Sequence, residues 1–159
     1  MDLLTFESSA TVRKYQDGDW PDLYRICLVT DDSGKDATLL YNEKSMLPEV
    51  YTGPYLTFAT NLSFTLVDKG IAGYVLGVLD TKEFENLLAD KWWPQIQNKY
   101  TGQSDKEFTP VELEILQMIH NPPQVDRVIL EKYPSHLHIN LLDRVQGRGL
   151  GKAKMGIGN

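Results

Sequence analysis

The stretch His136-Leu137-His138-Ile139-Asn140-Leu141-Leu142-Asp143-Arg144-Val145-Gln146-Gly147-Arg148-Gly149-Leu150-Gly151-Lys152 decides how this chain is read. It runs from an apolar strand pattern into a glycine-rich turn and then a basic segment. Glycines let a backbone approach a ligand closely, and the unpaired N–H groups of a first helical turn point at an anion. Two familiar phosphate loops fail on spacing. A nucleotide-triphosphate loop needs four residues between its Gly and its Gly-Lys, with Ser or Thr next. Here three separate Gly147 from Gly151, and Ala153 follows Lys152. A dinucleotide fingerprint needs Gly-x-Gly-x-x-Gly; Lys152 or Lys154 falls on its last glycine, depending on the start chosen. The pattern that fits is Gln/Arg-x-x-Gly-x-Gly/Ala, met by Gln146, Gly149 and Gly151. A plain glycine-rich turn closing a strand is the alternative.

Working outward, Thr11–Tyr15 reads as a first strand. Asp19-Trp20-Pro21-Asp22 opens a helix with proline in its first turn, and Leu23, Ile26 and Cys27 form its apolar face. Residues 39–55 suggest one or two short helices broken by Pro48 and by Gly53-Pro54. Residues 62–67 and 71–79 predict two strands joined at Asp68-Lys69-Gly70 as a hairpin. Residues 81–134 form a helical insertion of 54 residues. It includes a break near Pro94 and a capping box, Thr109-Pro110-Val111-Glu112. A further short helix is expected over 125–132, and the strand 136–142 follows.

The Gln146–Gly151 motif at the end of a strand, after the order strand, helices, hairpin and helices, resembles the acetyl-CoA motif of the GCN5-related N-acetyltransferase superfamily. The insertion narrows the likeness. Gly73-Tyr74-Val75-Leu76-Gly77, Asp80-Thr81, Trp92-Trp93-Pro94 and Lys99-Tyr100 look like the acetyltransferase-like C-terminal domain of O-GlcNAcase and its free-standing bacterial relatives. The animal domain is regarded as lacking the acetyl-CoA motif, which this chain keeps. The resemblance implies an α/β acyl-CoA N-acyltransferase fold, with a mixed central sheet, flanking helices and the insertion between its third and fourth predicted strands. It implies acetyl transfer from acetyl-CoA, a cosubstrate, to a primary amine, without a metal. Ile139, Asn140 and Leu141 would pair with the pantetheine arm. Gln146, Gly147, Arg148, Gly149, Leu150, Gly151 and Lys152 would hold the pyrophosphate. The family pattern continues with another strand and helix. Eight residues follow Gly151, so the expectation is one domain over 1–159, incomplete at its C-terminus.

Amine acetylation needs a base to take a proton from the attacking nitrogen, and a pKa near neutrality suits that task. His136 and His138, two apart on a strand, share a face. Serotonin N-acetyltransferase has a similar His-x-His on the equivalent strand, where the pair acts through water. His138 is the leading base because it lies nearer the motif; two sheet histidines with satisfied hydrogen bonds are the alternative. Asp80 either orients a substrate ammonium or caps the helix that starts at Thr81. Trp92 and Trp93 either wall a pocket or anchor the insertion in the core. Tyr74 and Cys27 read as packing residues, and His120 is assigned no chemistry.

Composition frames these readings. Hydrophobic residues make up 42% and charged residues 24%, an ordinary globular balance. Residues 1–143 carry 12 basic and 22 acidic side chains, a net −10, and the tail carries +4. Generic nucleic-acid binding is disfavoured, and an acidic body suits a cationic amine. The lone Cys27 excludes an intrachain disulfide and a multi-cysteine zinc site. With no signal-peptide pattern and no apolar run of membrane length, the sequence predicts a soluble, cytoplasmic protein. A homodimer stays open. The rival reading is a catalytically inactive binding or assembly module, or a truncated fragment.

Overall fold

The computed structural model describes residues 2–5, 10–31 and 35–147. Five strands, β1 (Asp2–Thr5), β2 (Thr11–Lys14), β3 (Ser63–Val67), β4 (Ile71–Val78) and β5 (His136–Leu141), form one sheet in the order β1-β2-β3-β4-β5. The sequence reading began the sheet at residue 11; β1, too short to show alternation, adds a strand before it. Every pairing among the described strands is antiparallel, where a mixed sheet was expected. The reason lies in the connections. The helices between β4 and β5 return the chain to the end where β4 stopped, so Val78 stands opposite His136 and Gly73 opposite Leu141.

Helices cover one face. They are α1 (Trp20–Asp31), α2 (Met46–Tyr51), α3 (Gly53–Phe58), α4 (Thr81–Lys91), α5 (Trp93–Lys99), α6 (Pro110–His120) and α7 (Arg127–Lys132). Pro48 does not break α2 as expected. It sits in the first turn, where its missing N–H has no intrahelical partner to lose. Pro54 and Pro94 likewise fall at the starts of α3 and α5, and the break before α5 comes at Trp92. The capping box at Thr109 and Glu112 forms as predicted.

The main core lies between the sheet and these helices. Leu23, Ile26, Met46, Leu47, Tyr74, Leu76, Trp92 and Ile119 are among its buried members. Cys27 is buried with them, and burial pushes its thiol up to about 11, so it is a packing residue. The insertion is tied to α2 by polar contacts. Trp92 Nε1 donates to the Glu49 carbonyl (2.9 Å), Tyr100 Oη donates to the Glu49 carboxylate (2.6 Å), and Lys99 Nζ pairs with it. Trp92 is therefore an anchor. A smaller cluster, with Val12, Leu66 and Val145, lies apart from this core.

Strands β4 and β5 approach each other closely because Gly73 has no side chain. A Cβ there would meet the Asn140 carbonyl oxygen at 2.7 Å and Leu141 Cδ2 at 2.6 Å. This glycine is what lets β5 lie against β4 and carry its two histidines onto the helix-covered face.

Candidate active site

Alternation along β5 places His136, His138 and Asn140 on the same face as Tyr74, Leu76 and Val78, toward the helices. The Asn140 amide donates to Thr30 Oγ1 at the end of α1 (2.8 Å). The two imidazoles stand edge to face, with centroids 5.5 Å apart. Between them lies a residue the sequence reading missed. Tyr55 Oη is 2.6 Å from His136 Nε2 and 3.0 Å from His138 Nε2. His136 Nδ1 in turn lies 2.7 Å from Thr81 Oγ1. The result is one chain of hydrogen bonds: Thr81, His136, Tyr55, His138.

A hydroxyl donates once, so Tyr55 gives its proton to one histidine and accepts from the other. Two consistent orderings follow. In one, His138 Nε2–H donates to Tyr55, Tyr55 donates to His136, and His136 Nδ1–H donates to Thr81. His138 Nδ1 then carries a lone pair. In the other ordering every donor is reversed. His138 Nδ1 has no hydrogen-bond partner among the described residues, and the side chain keeps an exposed flank. Desolvation lowers the pKa of both histidines below the ordinary 6.5, and the charge of His138 lowers that of His136 further. Burial raises the Tyr55 pKa well above the ordinary phenol value, so its hydroxyl remains a neutral relay.

Beside this array opens a cavity of about 590 Å³, in the range of small-molecule sites. Tyr55, Phe84, Leu88, Trp93, His136 and His138 contribute to its wall, as does Glu85. Trp93 thus serves as a pocket wall, while Trp92 holds the insertion down. Asp80 is not in this wall. It is exposed and caps α4, accepting from the Glu83 N–H at 2.8 Å. Among the described residues, no three His, Cys, Asp or Glu side chains converge as metal ligands, and no helix is long and apolar enough to cross a membrane.

On its other edge β5 has no strand partner among the described residues. Leu142 N–H donates to the Ala72 carbonyl (2.9 Å), which sets the ladder's parity. Asn140 and His138 therefore spend their backbone groups on β4, whereas Ile139 and Leu141 point theirs away from it. Of the three residues expected along a pantetheine arm, Ile139 and Leu141 offer free-edge backbone groups. The Leu141 carbonyl already accepts from Gln146 Nε2 (2.8 Å), so that glutamine braces the exit of the strand. A 3₁₀ turn, Asp143–Val145, separates strand from motif. Arg144 is held by Asp68 of the β3–β4 hairpin turn (3.7 Å between charged groups). Gly147 has φ +75°, a left-handed conformation that glycine adopts without strain, and a Cβ there would meet nothing within 4 Å among the described residues. Arg148, Gly149, Leu150, Gly151 and Lys152 lie outside the described residues.

No family model matches the sequence. Curated relatives do, among them Protein O-GlcNAcase of Rattus norvegicus and of Mus musculus, each 26% identical over 147 residues. The match takes in 91% of this chain and 16% of each relative, so the chain spans about a sixth of their length. Among solved structures, the crystal structure of SsHAT superposes with a TM-score of 0.77 at 33% identity, covering 92% of this chain and 73% of that one.

Proposed function

The chain belongs to the GCN5-related N-acetyltransferase superfamily, and from that premise we propose that it transfers an acetyl group from acetyl-CoA to a primary amine. The observation that carries the reading is the Thr81–His136–Tyr55–His138 chain opening onto a cavity beside a free strand edge. We read residues 1–159 as one acetyltransferase-like domain with 81–134 as its insertion.

His138 is the base. With its pKa held below 6.5, it is neutral at physiological pH and takes a proton at Nδ1 from the substrate ammonium. As Nδ1 gains a proton, Nε2–H can pass its own to Tyr55 and Tyr55 its hydroxyl proton to His136, which leaves the charge on the His136 imidazolium with its Nδ1–H donating to Thr81 Oγ1. The freed amine nitrogen attacks the thioester carbonyl carbon. A backbone N–H of Ile139 or Leu141, both turned away from β4, would stabilise the oxyanion that forms. The C–N bond is then complete, the C–S bond breaks, and the second proton on nitrogen leaves with the departing thiolate. The products are the acetamide and free thiol, with one proton released overall. Gln146, Gly147 and the segment 148–152 would hold the pyrophosphate. Asp80 is left as a helix cap.

Titration calorimetry with acetyl-CoA, beside a thiol-release assay on a panel of primary amines, tests this. The expected result is saturable binding together with amine-dependent thiol release. Absence of both would overturn the reading, and binding without turnover on every amine would favour the non-catalytic module.

A further inference from the structure

Glu85 stands one helical turn after Thr81 on α4, so both side chains project from the same flank, about 6 Å apart along the helix axis. Thr81 holds the histidine array, and Glu85 forms part of the wall of the same cavity. The two carboxylate oxygens have different surroundings. Oε1 accepts from the Val125 N–H at 3.0 Å, whereas Oε2 is buried and has no hydrogen-bond partner among the described residues. Two buried carboxylates elsewhere among the described residues are saturated. Asp19 receives Arg13, the Gln16 N–H and Thr65 Oγ1; Glu112 receives the backbone N–H groups of Glu43 and Thr109. Buried polar atoms in native proteins nearly always have partners, so an exception at a cavity marks where a ligand's donor fits. Among the described residues no lysine, arginine or aspartate contributes to the wall, so Glu85 supplies its one full charge there while the histidines are neutral. The rest is mainly apolar, with the aromatic residues Phe84 and Trp93 in the wall.

We propose that this cavity takes an amine bearing a second cationic group across an apolar spacer, and that Glu85 binds that second group. The identification of the bound amine as the acetyl acceptor rests on the acetyl-transfer reading; the binding itself does not. The reacting nitrogen lies at His138, the spacer lies along Phe84 and Leu88, and the distal ammonium donates to Oε2 after a small turn of the Glu85 carboxylate.

The test compares cadaverine, a diamine, with pentylamine, which has the same carbon chain and one ammonium. Each is titrated into the wild-type chain and into Glu85→Gln by calorimetry. Glutamine keeps an oxygen for the Val125 N–H while turning the unpartnered oxygen into a donor, so the segment over the cavity stays pinned. The wild type is expected to bind cadaverine about tenfold more tightly than pentylamine, an ordinary worth for one charge-assisted hydrogen bond, and Glu85→Gln to bind the two equally. Equal binding by the wild type, or a preference that survives Glu85→Gln, would overturn the proposal; the wild-type comparison stands even if the variant fails to fold. Acetyl transfer is scored separately. Preference without transfer would sink the catalytic reading and leave the site, whereas transfer without preference would do the reverse.

Discussion

Glu112 and Glu85 stand on two helices of the insertion and accept from backbone N–H groups in the same manner, yet they do different work. Glu112 is fully buried. Its Oε1 takes the Glu43 N–H at 2.7 Å and its Oε2 the Thr109 N–H at 2.8 Å, joining the α6 start to the segment before α2. Both oxygens are used, and the group is closed to chemistry. Glu85 has one oxygen used and one waiting, at the wall of a cavity. The histidines repeat the contrast. His136 has both ring nitrogens engaged, while His138 has one nitrogen engaged and one available. In each pair the saturated member holds structure, and the unsaturated member keeps an open atom at the cavity, where the proposed substrate would meet it.

The largest expected effect breaks the open member of the histidine pair. His138→Ala should lower kcat/KM by about 10²–10⁴, the usual worth of a general base, with acetyl-CoA affinity little changed; steady-state kinetics beside calorimetry measure both. His136→Ala should cost less. The pH profile follows from the lowered pKa values. Activity should be full at neutral pH and fall as the pH drops through a value below 6.5, because protonated His138 cannot accept a proton. Stability has the same sign. The unfolded chain binds more protons at these two positions, so their contribution is present above about 6.5 and is lost as the pH falls through the lowered folded values. A double variant, His136→Ala with His138→Ala, that keeps full activity would remove the array from the mechanism.

The next effect breaks the closed carboxylate. Glu112→Ala leaves two partly buried N–H groups without their acceptor and removes the α6 capping box, at a cost of about 1–3 kcal/mol. Thermal melts should show a loss of several degrees, with the amine preference unchanged in the folded protein. Glu112→Gln, which keeps one acceptor, should lose less. Equal losses would mean that charge rather than acceptor count sets the cost.

These contrasts also explain which parts of the molecule were legible in the chain. Local signals were. The alternation of β3, the capping box at Thr109 and the prolines that open α1 and α6, Pro21 and Pro110, each depend on residues within a turn of one another. His136 and His138 share a face because a strand has period two. Tyr55 could not be found this way, since it reaches His136 and His138 from 81 and 83 positions away, through a helix that looked like a broken segment. Thr81 and Glu85 looked like ordinary helix residues. Their roles appear only when the return of β5 to the end of β4 brings Val78 opposite His136. The motif that pointed to the family lies mostly at 148–152, beyond the described residues, so its pyrophosphate role remains a proposal.

A smaller effect sharpens the relay. Tyr55→Phe removes the hydroxyl between the histidines and keeps the ring that packs on Phe84, with centroids 4.9 Å apart. His138 remains able to take a proton directly, so kcat/KM should fall by about tenfold, less than the 10²–10⁴ of losing the base itself. The acidic limb should also move, because the charged His138 loses its outlet toward His136. A fall in rate with an unmoved limb would make Tyr55 a packing residue only.

The smallest expected effect concerns Asp80, which sits one residue before Thr81 and so tests whether the start of α4 acts by structure or by contact with substrate. Its φ of −127° and ψ of 100° are those of an N-cap, and its carboxylate accepts from the Glu83 N–H. Asp80→Ala should cost about 1 kcal/mol of stability, and Asp80→Asn, which still accepts from that N–H, should recover most of it. Because Asp80 is outside the cavity wall, kcat/KM measured well below the melting temperature should stay within about twofold, as a solvent-exposed cap predicts. The comparison with Glu85 then becomes direct. Both are acids on the first two turns of one helix, and only the one facing the cavity should change amine preference. If Asp80→Ala and Asp80→Asn both cut the rate a hundredfold while melting normally, the substrate ammonium would belong at Asp80, and the His138–Glu85 axis would be the wrong line through the site.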